Sequence, residues 1–261
     1  MITPLERKPN RAAARWAWAA LFAYPPAVAL GYILRLSTVD AFVLAALVAP
    51  LPLLAVAQVP LAKASLTEAT TLDRSSVYLE SATTILLLGG VALAAGLREP
   101  GAAALGLGLL PLRVLLAWSC GLLLGAFVLI AFFHALGRAG GMPDSPLLIA
   151  LLPETARERC LFVFLSIVAG LGEEVAFRGY VLSQFASLGL SPWGAAIASA
   201  VPFGALHAYQ GWWGVFRTGF LGFAFASSVV LSGSLWPAVI AHAGLDVVGG
   251  LWLGRWLTNR P

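Results

Sequence analysis

Charge is what this chain has least of. Lys, Arg, Asp and Glu make up 11% of its 261 residues, against 60% hydrophobic residues. Soluble domains carry about 25% charged residues. That scarcity excludes an ordinary soluble domain and predicts an integral membrane protein. Cysteine is nearly missing as well. Cys120 and Cys160 both fall beside or within apolar runs, which excludes a disulfide framework and leads us to expect buried free thiols. Recognisable catalytic signatures are missing too. There is no Gly-x-Ser-x-Gly elbow, no His-Glu-x-x-His, no P-loop and no dinucleotide fingerprint, and so no competing nucleophile or nucleotide chemistry. We find no soluble appendage, no low-complexity region and no convincing repeat.

What is present is a series of apolar stretches of roughly bilayer-crossing length. They fall at about 16–34, 41–61, 81–97, 113–136, 161–176, 193–209, 213–231 and 235–256. Pro25 and Pro26 should kink or interrupt the first, and Pro50, Pro52 and Pro60 the second. Arg7, Lys8, Arg11 and Arg15 ahead of the first run resemble a secretory leader, but a convincing small-residue cleavage site is lacking, so that run reads as a retained span. The polar stretch 63–80 reads as a loop or short interfacial helix. Arg98-Glu99-Pro100-Gly101 is a turn, and 105–110 is glycine-spaced and ambiguous. The longest polar interruption, 137–159, marks a change in character: spans before it carry almost no ionisable residues, and each span after it carries a candidate polar group. The fold expected is all-α, a polytopic membrane helix bundle of about eight transmembrane helices with the polar active site in the C-terminal four. Residues 1–149 would form a shell and 150–261 a catalytic helix core, within one integrated membrane domain.

The net charge is +4 and the isoelectric point about 9.4. The basic residues cluster in loops and ends, where the positive-inside bias and anionic headgroups account for them. The expected partner is therefore the lipid bilayer, with no nucleic acid. Eight spans put both termini on one side. Arg7, Lys8, Arg11, Arg15, Lys63, Arg74, Arg138, Arg157, Arg159, Arg255 and Arg260 all fall on that side, which the positive-inside rule makes cytoplasmic. Arg35, Arg98 and Arg113 fall opposite.

The chemistry concentrates in Gly172–Tyr180. Ionisable residues in hydrocarbon cost about 2.5–3.5 kcal/mol each on insertion scales and are functional candidates by default. On a helix Glu173 and Glu174 point about 100° apart. Glu174 and Arg178, four apart, share a face as an acidic–basic pair, which leaves Glu173 turned elsewhere into the bundle. Read alone, the motif also describes a snorkelling helix end, but the apolar Val181, Leu182, Phe185 and Ala186 beyond it argue against that. His207 follows Phe203 by four residues and shares its face, with Pro202 and Gly204 marking local irregularity of the kind that lines cavities. Alone it could equally be an interfacial or packing residue. His242 and Asp246 are again four apart: the carboxylate could orient the imidazole, both could face a substrate, or the two could simply tie helices together. His134 is given no role. Together these residues offer a base, a second proton carrier and oxyanion donors, a hydrolytic inventory.

Glu173-Glu174-x-x-x-Arg178, Phe203-x-x-x-His207 and His242-x-x-x-Asp246 resemble, in order and spacing, the three motifs of the CPBP (Abi) intramembrane endopeptidases, which include the type II CAAX prenyl endopeptidases. The resemblance covers about residues 150–261. It implies that Glu173 activates a water for attack on a peptide bond with help from His207, that His242 and Asp246 stabilise the oxyanion, and that Arg178 anchors Glu174 or the cavity wall. The family often has asparagine where Asp246 stands. An ionised aspartate is a poor oxyanion donor, so Asp246 would be protonated or would orient His242. The resemblance implies either no cofactor or a zinc ion, for which Glu173, His207 and His242 could serve as ligands. The substrate implied is a membrane-associated peptide or protein. The Ala/Leu/Gly-rich composition fits a bacterial, inner-membrane protein. The alternative is a non-catalytic binding, bacteriocin-immunity or ion-coupled transport protein, since proton-coupled transporters also place Glu, His, Asp and Arg at mid-membrane. Transporters usually show paired halves, whereas these polar residues sit mainly in the second half.

Overall fold

The computed structural model describes residues 11–57, 73–142 and 145–253. The expectations resting on Arg7, Lys8, Pro60, Lys63, Arg255 and Arg260 lie outside them. Regular structure among the described residues is entirely helical: α1 (Arg11–Ile33), α2 (Thr38–Val48), α3 (Arg74–Arg98), α4 (Leu112–Ala139), a short α5 (Pro146–Ala150), α6 (Ala156–Glu174), α7 (Leu182–Ser187), α8 (Pro192–Leu206), α9 (Gly211–Ser232) and α10 (Trp236–Val248). A π-helical run, Val175–Val181, joins α6 to α7 without a break.

Among the described residues, six stretches are long and apolar enough to cross a membrane: Ala14–Ile33, Thr38–Ala57, Arg74–Arg98, Leu112–Ala139, Ala156–Ser187 and Ala208–Ser232, with Pro192–Leu206 a shorter apolar helix. The chain is thus a polytopic helical bundle, and each of the eight expected spans contains one of its helices. The boundaries differ in instructive ways. Pro25 and Pro26 do not end α1. The second span is interrupted at Ala49 (φ −124°, ψ −77°), the residue before Pro50, and is helical again from residue 50 to 57. The stretch expected as a loop up to residue 80 is already helical from Arg74, where the Asp73 side chain caps the Ser76 N–H. Its bonds with the Ser76 hydroxyl and N–H hold the Asp73 carboxyl below the usual carboxylate range. The fifth span does not stop at 176 but continues to Ser187, so its charged motif lies mid-helix. The eighth span is helical only over α10 before a π-helical turn at Gly249–Leu253. Cys120 and Cys160 are exposed on the outside of the bundle, not buried. Lipid tails are as apolar as a leucine side chain, so apolar flanks cannot distinguish inside from outside.

Three contacts set where the site is built. Gly170 lets α6 lie against α10: a Cβ there would sit 2.8 Å from the Ala243 nitrogen and 2.9 Å from the Val239 oxygen. Two residues on, a Cβ on Gly172 would meet Ile85 of α3 at 2.7 Å. The ambiguous 105–110 segment docks on the start of α10, where Gly106 O accepts from Leu235 N (2.8 Å) and Leu107 O from Trp236 Nε1 (3.0 Å). At one end of the bundle, a Thr155/Glu158 capping box starts α6. There Arg74 pairs with Glu154 at 2.8 Å, and Tyr78 donates to Leu151 O at 2.7 Å.

Gly170→Ala is expected to cost about 1–3 kcal/mol, as overpacking against backbone does. Thermal unfolding in detergent measures it, and a variant as stable as the parent would show that α6 and α10 part freely.

Candidate functional site

The α6 helix enters the bundle core just before Glu173 and continues there as the π-helical run. All seven residues of that run are buried. Wide π turns are rare and concentrate at functional sites. The run lies between two apolar clusters: Ala176 and Phe177 pack with Phe203 in one, Val175 with Phe225 and Leu245 in the other.

Arg178 and Glu174 are both fully buried, with Nη1 donating to Glu174 Oε1 at 2.9 Å. This is the pair expected from the four-residue spacing. The guanidinium carbon lies 3.8 Å from the centre of the Phe203 ring and 5.7 Å from that of Phe225, a cation–π seat in place of water. Its Nε donates to Gly222 O at 3.4 Å. Gly222 makes room for it, since a Cβ there would be 2.9 Å from both Arg178 Nη2 and Phe203 Cδ1.

The same Glu174 oxygen accepts from His242 Nδ1 at 2.7 Å. Sequence spacing pointed to Asp246 as the partner of His242. In the structure Glu174 is the closer one, while Asp246 Oδ2 stands 3.7 Å from His242 Nε2. His207 is held differently. The last α8 turn tightens so that His207 N bonds Gly204 O, and Phe203 O bonds His207 Nδ1 instead, at 2.9 Å. A carbonyl and a carboxylate only accept, so both imidazoles carry a proton on Nδ1. Both therefore present Nε2 to the site.

Glu173 faces those two nitrogens. Its Oε2 lies 3.8 Å from His207 Nε2 and 4.0 Å from His242 Nε2, and is buried without a hydrogen-bond partner. Side-chain exposure rises from 0% at Glu174 through 9% at His242, 15% at His207 and 19% at Glu173 to 36% at Asp246. The cluster is thus a funnel with Arg178–Glu174 as its floor and Asp246 at its rim. All six residues singled out from the sequence come together, from α6, the π run, the end of α8 and α10.

The sequence reading passed over Asp40, which accepts hydrogen bonds from Tyr180 and Gln184, and over Gly222, which makes room for Arg178. Ser37-x-x-Asp40 ahead of an apolar run is a helix-start pattern, and that was the available signal for Asp40. For zinc, Glu173, His207 and His242 were the candidate ligands. Among the described residues no group of three or more His, Cys, Asp or Glu is arranged to hold a metal ion, so we derive no step through one.

Residues 155–248 match the model of a family described as type II CAAX prenyl endopeptidase Rce1-like. The match contains all three motifs and bears out, over that segment, the resemblance to the CPBP/CAAX protease family. No curated protein and no solved structure matches the chain.

Breaking the buried pair should be far costlier than neutralising the rim. Arg178→Met is expected to destabilise by about 3–5 kcal/mol, because it strands a buried carboxylate. Asp246→Asn is expected to cost less than about 1 kcal/mol, the range of a half-exposed substitution. Paired thermal melts in detergent give the comparison.

Proposed function

We propose that the chain is an intramembrane endopeptidase that hydrolyses a peptide bond of a membrane-associated protein or peptide with a water activated by Glu173. One observation carries this reading: of the two adjacent glutamates, Glu174 binds Arg178 and His242 through Oε1, while Glu173 makes no such pair and turns its Oε2 towards two imidazole nitrogens about 4 Å away. Evolved sites that divide two carboxylates in this way give them different proton roles.

In this reading a water bound to Glu173 Oε2 lies within reach of both Nε2 atoms. Glu173 takes its first proton as the oxygen adds to the scissile carbonyl. His207, whose Nδ1 is occupied by Phe203 O, takes that proton from Glu173 at Nε2 and passes it to the leaving amine, so that Glu173 and His207 both return to their starting states. His242 in its protonated form keeps Nδ1–H on Glu174 and donates from Nε2 to the oxyanion. Arg178 does not reach substrate; it holds Glu174. Asp246, at the rim, orients the outer edge of His242. The products are a carboxylic acid and an amine, so water and peptide balance without a co-reactant. The apolar walls around Phe203 and Phe225 exclude bulk water and strengthen each of these polar contacts. No metal enters this scheme. Zinc held by Glu173, His207 and His242 is the competing version. The charge pattern favours cytoplasmic termini for this multi-pass protein, and the Ala/Leu/Gly-rich composition favours a bacterial inner membrane.

The non-catalytic alternative is a membrane binding, immunity or ion-coupled transport protein using the same cluster. One experiment separates the readings. The purified protein in liposomes is offered farnesylated CAAX peptides and plain membrane-embedded peptides, beside Glu173→Gln, each with and without chelator. We expect cleavage that survives chelation and falls at least about 100-fold in Glu173→Gln, with the variant still folded. Cleavage lost on chelation and restored by zinc would transfer the same residues to metal chemistry. No cleavage of any peptide would favour the binding or transport reading.

A further inference from the structure

Asp40 is buried at the start of α2, far in sequence from the three motifs. Its Oδ1 accepts from Tyr180 Oη at 2.8 Å and from Gln184 Nε2 at 3.0 Å, and its Oδ2 from Ser37 Oγ at 2.6 Å. Gln184 Nε2 also donates to Glu99 O at 3.2 Å. Three side-chain donors thus converge on one buried carboxylate, and two of them come from the helix that carries the catalytic motif. Tying two helices together does not need this. Apolar packing does so more cheaply, and Leu44 and Leu47 of α2 already pack with Phe177 and Tyr180. What directional hydrogen bonds add is a fixed rotation.

That rotation matters because Tyr180 lies two residues beyond Arg178, roughly on the opposite side of the helix at about 100° per residue. The π-helical run is therefore gripped from both sides. On one, Arg178 is seated against Phe203 and Gly222; on the other, Tyr180 and Gln184 are bonded to Asp40. Turning the run would pull Arg178 off its seat and swing Glu174 away from His242.

We propose that Asp40 is a positioning residue of the active site, acting through Tyr180 and Gln184 to fix the rotation of the π-helical run and thereby to hold Glu174 on His242. The proposal rests on the peptidase reading for its consequence in rate, but not for its consequence in geometry. It makes residues 1–149 a working part of the site, since one of its supports is anchored there.

The test compares full-length wild type with Tyr180→Phe and Asp40→Ala, each purified in detergent. Three quantities are read: kcat and KM on a peptide the wild type cleaves, thermal unfolding, and the 15N resonances of the histidine side chains assigned with His→Gln variants. Tyr180→Phe keeps the ring and its packing and removes only the hydroxyl. Expected is a kcat reduced roughly tenfold or more, as small misplacements of catalytic groups produce. KM should stay within about twofold, since substrate contacts are untouched. The His242 Nδ1 signal should move. The double variant should be no worse than the worse single, because both remove one interaction. A lower unfolding temperature with unchanged kcat and an unmoved His242 signal would overturn the proposal and leave a structural clamp. If the wild type cleaves nothing, the peptidase reading falls and the His242 signal alone decides: moved, the geometric coupling stands; unmoved, it is overturned. Should Tyr180→Phe fail to fold, Gln184→Met carries the same comparison.

Discussion

Arg178 places a positive charge at zero exposure in the core of the bundle, and hydrocarbon offers such a charge no solvent. Its neighbours follow from that. Glu174 supplies the countercharge, Phe203 and Phe225 supply aromatic faces, and Gly222 withholds a side chain so that the guanidinium fits. Once Glu174 is committed to Arg178, its remaining capacity on the same oxygen goes to His242. One ion pair thereby ties α6, α9 and α10 together, and Glu173, a residue earlier and turned about 100° away, is directed at both histidines. The arrangement of the candidate site is what remains after a burial problem has been solved.

Much of this could be read along the chain. A helical spacing of four links Glu174 with Arg178 and Phe203 with His207, and both pairs appear as expected, because short-range helix geometry is nearly independent of tertiary context. The apolar runs likewise placed every helix but the short α5 and α7, since hydrocarbon forces every backbone polar group into helical bonding. The bundle and the six polar residues at its centre were therefore legible.

Four features were not, each for a physical reason. The partner of His242 is 68 residues away, and Asp246, at the favourable spacing, is displaced to the rim; a local rule cannot rank a nearby carboxylate against one delivered by another helix. The outward placement of Cys120 and Cys160 was unreadable because a bundle in lipid is apolar on both sides. Asp40 stood one residue outside a hydrophobic run and looked like the helix-start residue it also is. Its bonds to Tyr180 and Gln184 span 140 and 144 residues. The π-helical run leaves no trace in hydropathy either, since every one of its positions is buried whatever its phase.

That run has a consequence for how the protein can change over generations. Removing one residue between Glu174 and Tyr180 would let the wide turn close into ordinary α-helix and carry everything downstream round by about 100°. Either Arg178 or the Tyr180–Gln184 face could then keep its place, but not both. Side chains in the segment can be exchanged one at a time, each at its own cost. Its length cannot drift, and gain or loss of a single codon there would act on two helix contacts at once.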